Sequence, residues 1–229
     1  MSTMKYCILS YIFFATLLTM IIPSIAEETT VLINQVVEEL TVKGNWKSKQ
    51  AVSNLYKVLQ HSPDQEERLT AKILLAQYLG DHAAELPEVE RARMRQLCSE
   101  VAQESPNSWQ GQVAQFNLVA ERGFSGNYSE QVISAQQALK TIDFELFEAA
   151  QAPAARAIHQ AYGGKSHVLR EAMKLMLANA LCEEGRLAEA EQVYATIQDR
   201  EYALIIQQRI DLAKKAIQRR IPASGHEIR

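Results

Sequence analysis

The chain has 229 residues, the length of one domain or two. Hydrophobic residues make up 47% and charged residues 22%, so the chain can bury a core and is not a disordered tail. The formal net charge of −3 excludes nothing by itself, but it gives no sign of nucleic-acid binding, since domains that bind nucleic acid are usually basic. Only nine glycines and six prolines accompany 30 alanines and 20 glutamines. This balance argues against β-sandwiches and glycine-rich nucleotide folds and predicts an all-α protein.

The N-terminus has the pattern of an export signal. Lys5 precedes an uncharged apolar run, residues 7–22, and small residues stand at the −3 and −1 positions of a cut after Ala26. A positive start, an apolar segment and a small-x-small site are typical of a secretory signal peptide, so we expect a periplasmic or extracellular protein. The alternative is an uncleaved anchor with Lys5 inside and the acidic pair at 27–28 outside.

Residues 27–220 predict a helical-repeat domain, followed by a flexible tail, 221–229. Apolar residues recur at helical spacing, and glycine or proline separates the segments. The predicted helices are 29–42, one ending near 60, one ending at Gly80, one from about 87 to 105, 109–121, 127–141, two short helices broken at Pro153, 166–184, 187–197 and 201–219. Ser62, Pro63 and Gln65 predict a capping box, with Pro63 in the first helical position of the third helix.

Three turns share a pattern of glycine, a polar residue and a bulky residue. They begin at Gly44, Gly126 and Gly185, and glycine is favoured where a helix ends in a left-handed residue. Around Gly185, Leu177-Ala178, Leu181, Leu187, Ala190 and Tyr194 complete a motif over residues 171–198 that resembles one tetratricopeptide repeat. In the second turn, Gln131 stands where the family has alanine. An irregular helical bundle outside that family remains the alternative.

The resemblance implies an antiparallel array of helix hairpins, an irregular α-solenoid, with a groove that binds peptides. Its implied groove-facing residues are Ala172, Leu175, Asn179 and Cys182 in the best-matched repeat, and Asn117 and Ala120 in the hairpin before it. We therefore expect a non-catalytic interaction module or adaptor whose partner is another protein or peptide. A membrane-anchored structural component of a cell-envelope assembly is the second interpretation.

An enzymatic interpretation has the least support. None of the five histidines forms a pair at metal-binding spacing, and the chain has no nucleophile elbow and no phosphate-binding glycine loop. Glu104-Ser105 matches the catalytic dipeptide of lytic transglycosylases, but the residues that follow it in that family are missing. We expect no catalytic residue, no metal and no cofactor, and glycan cleavage remains a third interpretation.

The last 30 residues are basic, with seven lysines and arginines against three acidic residues. The candidate basic patch is Lys214, Lys215, Arg219 and Arg220. Basic residues in a last turn stabilise the helix dipole, so a solvated terminal helix is one interpretation. The other is a surface for anionic lipid headgroups or an acidic partner. Cys98 and Cys182 fall in separate helical hairpins, which predicts that they remain unbridged.

Overall fold

The computed structural model describes residues 25, 27–42, 48–81, 87–149, 152–161 and 166–220. The predicted leader, apart from residue 25, lies outside these residues, as do the turn at Gly44 and the predicted tail. Every regular element in the described ranges is a helix, so the prediction of an all-α protein is confirmed. None of the described helices is both long enough and apolar enough to span a bilayer.

The helix boundaries agree with the predicted ones to within a few residues. α1 covers residues 27–42, and its last turn, Glu38–Val42, is π-helical. The others are α2 (Lys49–His61), α3 (Gln65–Asp81), α4 (Glu88–Glu104), α5 (Trp109–Phe124), α6 (Tyr128–Thr141), α7 (Phe144–Ala149), α8 (Pro153–Ala161), α9 (Ser166–Glu183), α10 (Leu187–Tyr194) and α11 (Arg200–Arg220). Pro153 begins α8, because a first helical position needs no N–H donor.

The capping box predicted at Ser62 is wrong by two residues. Asp64 is the N-cap of α3, since its Oδ1 accepts hydrogen bonds from the backbone N–H groups of Glu66 (2.6 Å) and Glu67 (3.3 Å). Ser62 lies before the cap and donates its hydroxyl to Glu67 Oε2 over 2.7 Å. Pro63 therefore precedes the helix, and the carboxylate of Asp64 satisfies the first N–H groups of α3.

The described residues fall into two compact units that divide within α4, between Leu97 and Cys98. The first unit contains α1 to α3 and the start of α4, and α2 packs against α3. Its core consists of aliphatic side chains at the predicted helical spacings. Those with essentially no exposure include Val36, Leu40, Leu55, Val58, Ile73, Leu74 and Leu75.

In the second unit, α9 is the central helix. It packs against α5, α6, α7, α10 and α11, while α5 also packs against α6 and α10 against α11. Because α9 has neighbours on several sides, more than one of its faces is buried and apolar. Its buried residues include Met173, Leu177, Ala178 and Leu181.

The turns at Gly126 and Gly185 have the same geometry. The φ angles of the two glycines are +72° and +74°, which confirms the predicted left-handed helix ends. In the first turn Asn127 N–H donates to the Arg122 carbonyl over 2.9 Å, and in the second Arg186 N–H donates to the Leu181 carbonyl over 2.8 Å. Each glycine N–H also donates to the carbonyl three residues earlier, over 3.1 Å at Gly126 and 3.0 Å at Gly185, so both turns are Schellman motifs. The hairpins α5–α6 and α9–α10 therefore reverse direction in the same way.

The two hairpins differ in how they fill the space beside this turn. Ala190 is completely buried five residues after its glycine, and Gln131 has the corresponding place in the other hairpin. Gln131 fits because residue 123, three before the turn, is glycine: a Cβ there would lie 2.4 Å from Gln131 Nε2. Gln131 Nε2 donates to the Val119 carbonyl over 3.2 Å, whereas its Oε1 is buried with no hydrogen-bond partner.

Candidate functional site

A surface cleft of about 650 Å³ lies between α6, α9 and α10 in the second unit. One stripe of α9 forms its floor, and the two flanking helices form its walls. The lining residues are Gln136 and Leu139 of α6, Arg170, Lys174, Leu177 and Leu181 of α9, Glu189, Gln192 and Val193 of α10, and Thr196. The half-buried Leu139 and Val193 supply its apolar surface, Leu177 and Leu181 are buried beneath it, and the exposed amides of Gln136 and Gln192 stand on opposite walls.

The two ends of the cleft differ, with an exposed Arg170 at one end and Glu189, paired with Arg186, at the other. Arg170 is exposed near the start of α9, and its guanidinium stacks 5.3 Å from the centre of the Phe144 ring. Glu189 stands near the other end of α9, because α10 runs back from the turn at Gly185. Both Glu189 oxygens accept hydrogen bonds of 2.7 Å from Arg186, which lower the pKa of the Glu189 carboxyl.

The Lys174 side chain, which lines the cleft, is held by contacts within the chain. Its Nζ donates to Glu171 Oε1 and to the Thr196 carbonyl, each over 2.7 Å. Its charge is therefore compensated from within the chain, and Arg170 is the basic lining residue that extends into solvent.

Glu171 connects α9 to the segment that leads into α11. Its side chain is 4% exposed, and Oε2 accepts the backbone N–H groups of Gln198 (2.6 Å) and Asp199 (3.3 Å). Burial alone would raise the pKa of Glu171, but the hydrogen bonds from Lys174, Gln198 and Asp199 outweigh it and hold the pKa below the ordinary value. Glu171 thus remains a carboxylate at neutral pH and holds the segment between α10 and α11 against α9.

None of the residues predicted to face a groove lines this cleft. Ala172, Leu175 and Asn179 are half-buried and Cys182 is buried, and at 3.6 residues per turn they lie on roughly the opposite face of α9 from the lining stripe. Burial raises the pKa of the Cys182 thiol. The structure brings these four together on one side of the helix, away from the cleft.

The two candidates in α5 are also away from the cleft. Ala120 is half-buried, and Asn117 hydrogen-bonds the thiol of Cys98. Burial raises the pKa of Cys98 to about 12, with the Asn117 hydrogen bond lowering it and the charge of Glu121 raising it. The amide of Asn117 therefore supports a buried contact between α4 and α5.

The candidate basic patch is partly neutralised. Lys214 Nζ lies 2.6 Å from Glu191 Oε1, and this hydrogen bond raises the pKa of Lys214. Lys215 is exposed on α11. Arg219 and Arg220 belong to the same helix, but their side chains lie outside the described structure.

The described residues contain no cluster of three histidine, cysteine or acidic side chains suited to a metal. Glu104, the acid of the transglycosylase-like dipeptide, is the exposed last residue of α4 and does not line the cleft. No family model, curated protein or solved structure matches the chain.

The sequence did contain a signal for the cleft. Its floor residues, Arg170, Lys174, Leu177 and Leu181, follow one another at spacings of four, three and four along α9. The two long cationic side chains, one turn apart, indicate that the start of this stripe meets solvent, but the two leucines that follow are as apolar as a buried face and are buried. The resemblance to a tetratricopeptide repeat predicted a groove on the opposite stripe of α9 instead.

Proposed function

We propose that this chain is an exported, non-catalytic interaction module that holds a short segment of a partner protein in the cleft between α6, α9 and α10. The observation that carries the proposal is the cleft itself, with half-buried Leu139 and Val193 between two exposed glutamine amides. A few polar groups around an apolar surface are the usual composition of a binding site. Export is proposed from residues 5–26, whose charge and apolar pattern is that of a signal peptide.

The hairpins support an array of tetratricopeptide-like repeats as part of the proposal. α5–α6 and α9–α10 turn through identical hydrogen-bond patterns, and α9 packs against both members of the preceding hairpin. In a repeat stack, each hairpin buries its apolar face against its neighbours, as α9 does here. The irregularity of the proposed solenoid comes from α7 and α8, which are inserted between the two hairpins.

The dimensions of the cleft define the segment it accepts. The floor runs from Arg170 to Leu181, which corresponds to about 17 Å of helix at 1.5 Å per residue. An extended chain rises about 3.3 Å per residue, so about five residues of a partner fit. Arg170 at one end favours an acidic residue there, and the half-buried Leu139 and Val193 favour apolar residues beside it.

Peptide display tests this proposal. The intact chain is expected to select short peptides with an acidic residue beside an apolar one. Gln136→Trp fills the cleft from α6 and should abolish their binding, whereas Gln137→Trp changes a neighbouring exposed residue outside the lining and should preserve it. Circular dichroism confirms that both variants fold.

Charge reversal gives a second measurement on the same peptides. Arg170→Glu should remove the preference for the acidic residue, because the reversed side chain repels it. Arg156→Glu reverses an exposed arginine on α8 that is not part of the cleft, so it serves as the matched control. Selected peptides that bind Gln136→Trp and Arg170→Glu as tightly as the unmodified chain would contradict the proposal.

A further inference from the structure

The last described helix, α11, has apolar residues on two opposite faces. Ile206 and Ile210 are completely buried on one face, and α11 packs against α9 and α10. On the other face, Leu204 is 58% exposed and Leu212 61% exposed. Buried isoleucines account for one face only, so the outward leucines need another explanation.

The outward residues form a symmetric series, which we call the α11 seam. Its members are Glu201, Leu204, Gln208, Leu212 and Lys215, all of them exposed. Their spacings are three, four, four and three, which places them on one narrow stripe of the helix. On each side of Gln208 the seam has first a leucine and then a charged residue. The charged residue is acidic Glu201 on one side and basic Lys215 on the other.

We infer that the α11 seam binds the same seam of a second copy of this chain, in antiparallel orientation about a two-fold axis at Gln208. In an antiparallel pair, residues whose numbers are equally far from the centre lie at the same height. Leu204 of each copy then faces Leu212 of the other, and Glu201 of each faces Lys215 of the other. A two-fold interface requires such self-complementarity, and the seam has it in both apolar contact and charge.

The charge pattern distinguishes a second copy from an anionic membrane. Lys215 is the basic residue within the seam, and Glu201 on the same stripe would be repelled by an anionic surface. Within the described part of the chain, neither Glu201 nor Lys215 has an ion-pair partner, so both are available to a second copy. Lys214, by contrast, already pairs with Glu191.

The small size of the seam implies a weak dimer. From residue 201 to residue 215 the helix rises about 21 Å. One such stripe per subunit buries little surface compared with the roughly 1,200–2,000 Å² buried in a standard stable interface. The dimer should therefore form reversibly, with a dissociation constant of about 10 µM or weaker.

Sedimentation velocity of the intact chain over about 5–500 µM tests the inference through a charge swap. We expect reversible dimers. Glu201→Lys alone and Lys215→Glu alone should each weaken dimerisation at least about tenfold, since two contacts per dimer become repulsive. The double variant carrying both changes should restore it, because each pair regains opposite charges.

Two further variants distinguish association through the α11 seam from nonspecific association through any exposed apolar residue. Leu212→Gln should weaken the dimer, while Ile133→Gln, at a 66% exposed isoleucine on α6, should leave it unchanged. Monomers at every concentration would overturn the inference. Dimerisation that is unchanged in both single charge-reversal variants would also overturn it. Binding to vesicles containing phosphatidylglycerol that Lys215→Glu abolishes, without any dimer, would identify a lipid surface as the occupant and also overturn it.

Discussion

Gly111, in the first turn of α5, is required because the backbone approaches it closely. A Cβ at this position would lie 2.0 Å from the carbonyl oxygen of Ser105 and 3.0 Å from Pro106 Cα. Backbone atoms cannot move aside as the end of a long side chain can, so the segment before α5 would have to shift.

Gly111→Ala should therefore lower the free energy of unfolding by about 2 kcal/mol or more, despite the higher helix propensity of alanine. Gly80→Ala is the matched control, since its Cβ would meet only the sulfur of Met94, at 3.3 Å. Chemical denaturation measures both variants. Equal stability of the two would contradict the close backbone contact at Gly111.

Gly123 and Gln131 compensate for one another, because the amide of Gln131 occupies the space that a side chain at residue 123 would need. Gly123→Ala should destabilise the chain, since Gln131 would lose its hydrogen bond to Val119. In a Gln131→Ala background the same change should become stabilising, by up to about 1 kcal/mol of helix propensity. A double-mutant cycle checks this reversal of sign. The same effect of Gly123→Ala in both backgrounds would show that the two positions are independent.

At the scale of elements, helix boundaries were the most predictable feature. Gly126 and Gly185 mark their turns because only glycine adopts a left-handed conformation without strain, and Pro153 marks the start of α8 for an equally local reason. The cap of α3 was misplaced because Ser62 and Asp64 are both good caps and lie two residues apart.

The spacing of apolar residues alone does not distinguish the open face of α9 from its buried faces. Leucine, methionine or alanine occurs on every side of this helix, since it contacts five others. Which face remains open depends on where α6 and α10 pass over it, and that is fixed by packing between residues far apart in sequence. The resemblance assigned the site to Ala172, Leu175, Asn179 and Cys182, on the other side.

Glu171 makes the attachment of α9 to α11 dependent on pH. Its pKa is lowered on folding, so it contributes full stability above the ordinary value of 4.5 and loses that contribution as the pH falls through the lower folded value. Glu171→Gln should reduce the free energy of unfolding by about 2 kcal/mol at pH 7. The NH2 group of the glutamine would face N–H groups that now donate to the carboxylate, and donor would meet donor.

Denaturation across pH 3–7 measures that effect. The difference between Glu171→Gln and the unmodified chain should narrow below pH 4.5, because the unmodified carboxyl becomes protonated there. Glu191→Gln removes the exposed partner of Lys214 and should be nearly neutral throughout. A constant difference between Glu171→Gln and the unmodified chain would show that the charge of Glu171 does not stabilise the fold.

At the scale of the whole molecule, the two cysteines after residue 26 test the arrangement of the second unit. Cys98 and Cys182 are both free and buried. Cys98 contacts Asn117 of α5, and the charge of Arg209, on α11, acts on Cys182, so the two thiols have different neighbours. Residues 27–229 should therefore contain two free thiols when denatured without reductant. A count of zero would mean that the chain brings these positions within disulfide distance.

The proposed binding of a partner segment in the cleft between α6, α9 and α10 can be tested by amide hydrogen exchange of the intact chain, with and without a peptide selected by display. We expect slower exchange in 128–141 and 187–196, the walls of the cleft, with little change in 109–124 or 200–220. Protection confined to α5 and α11, with both walls unchanged, would place the ligand on the opposite side of α9 and rule out binding in the cleft.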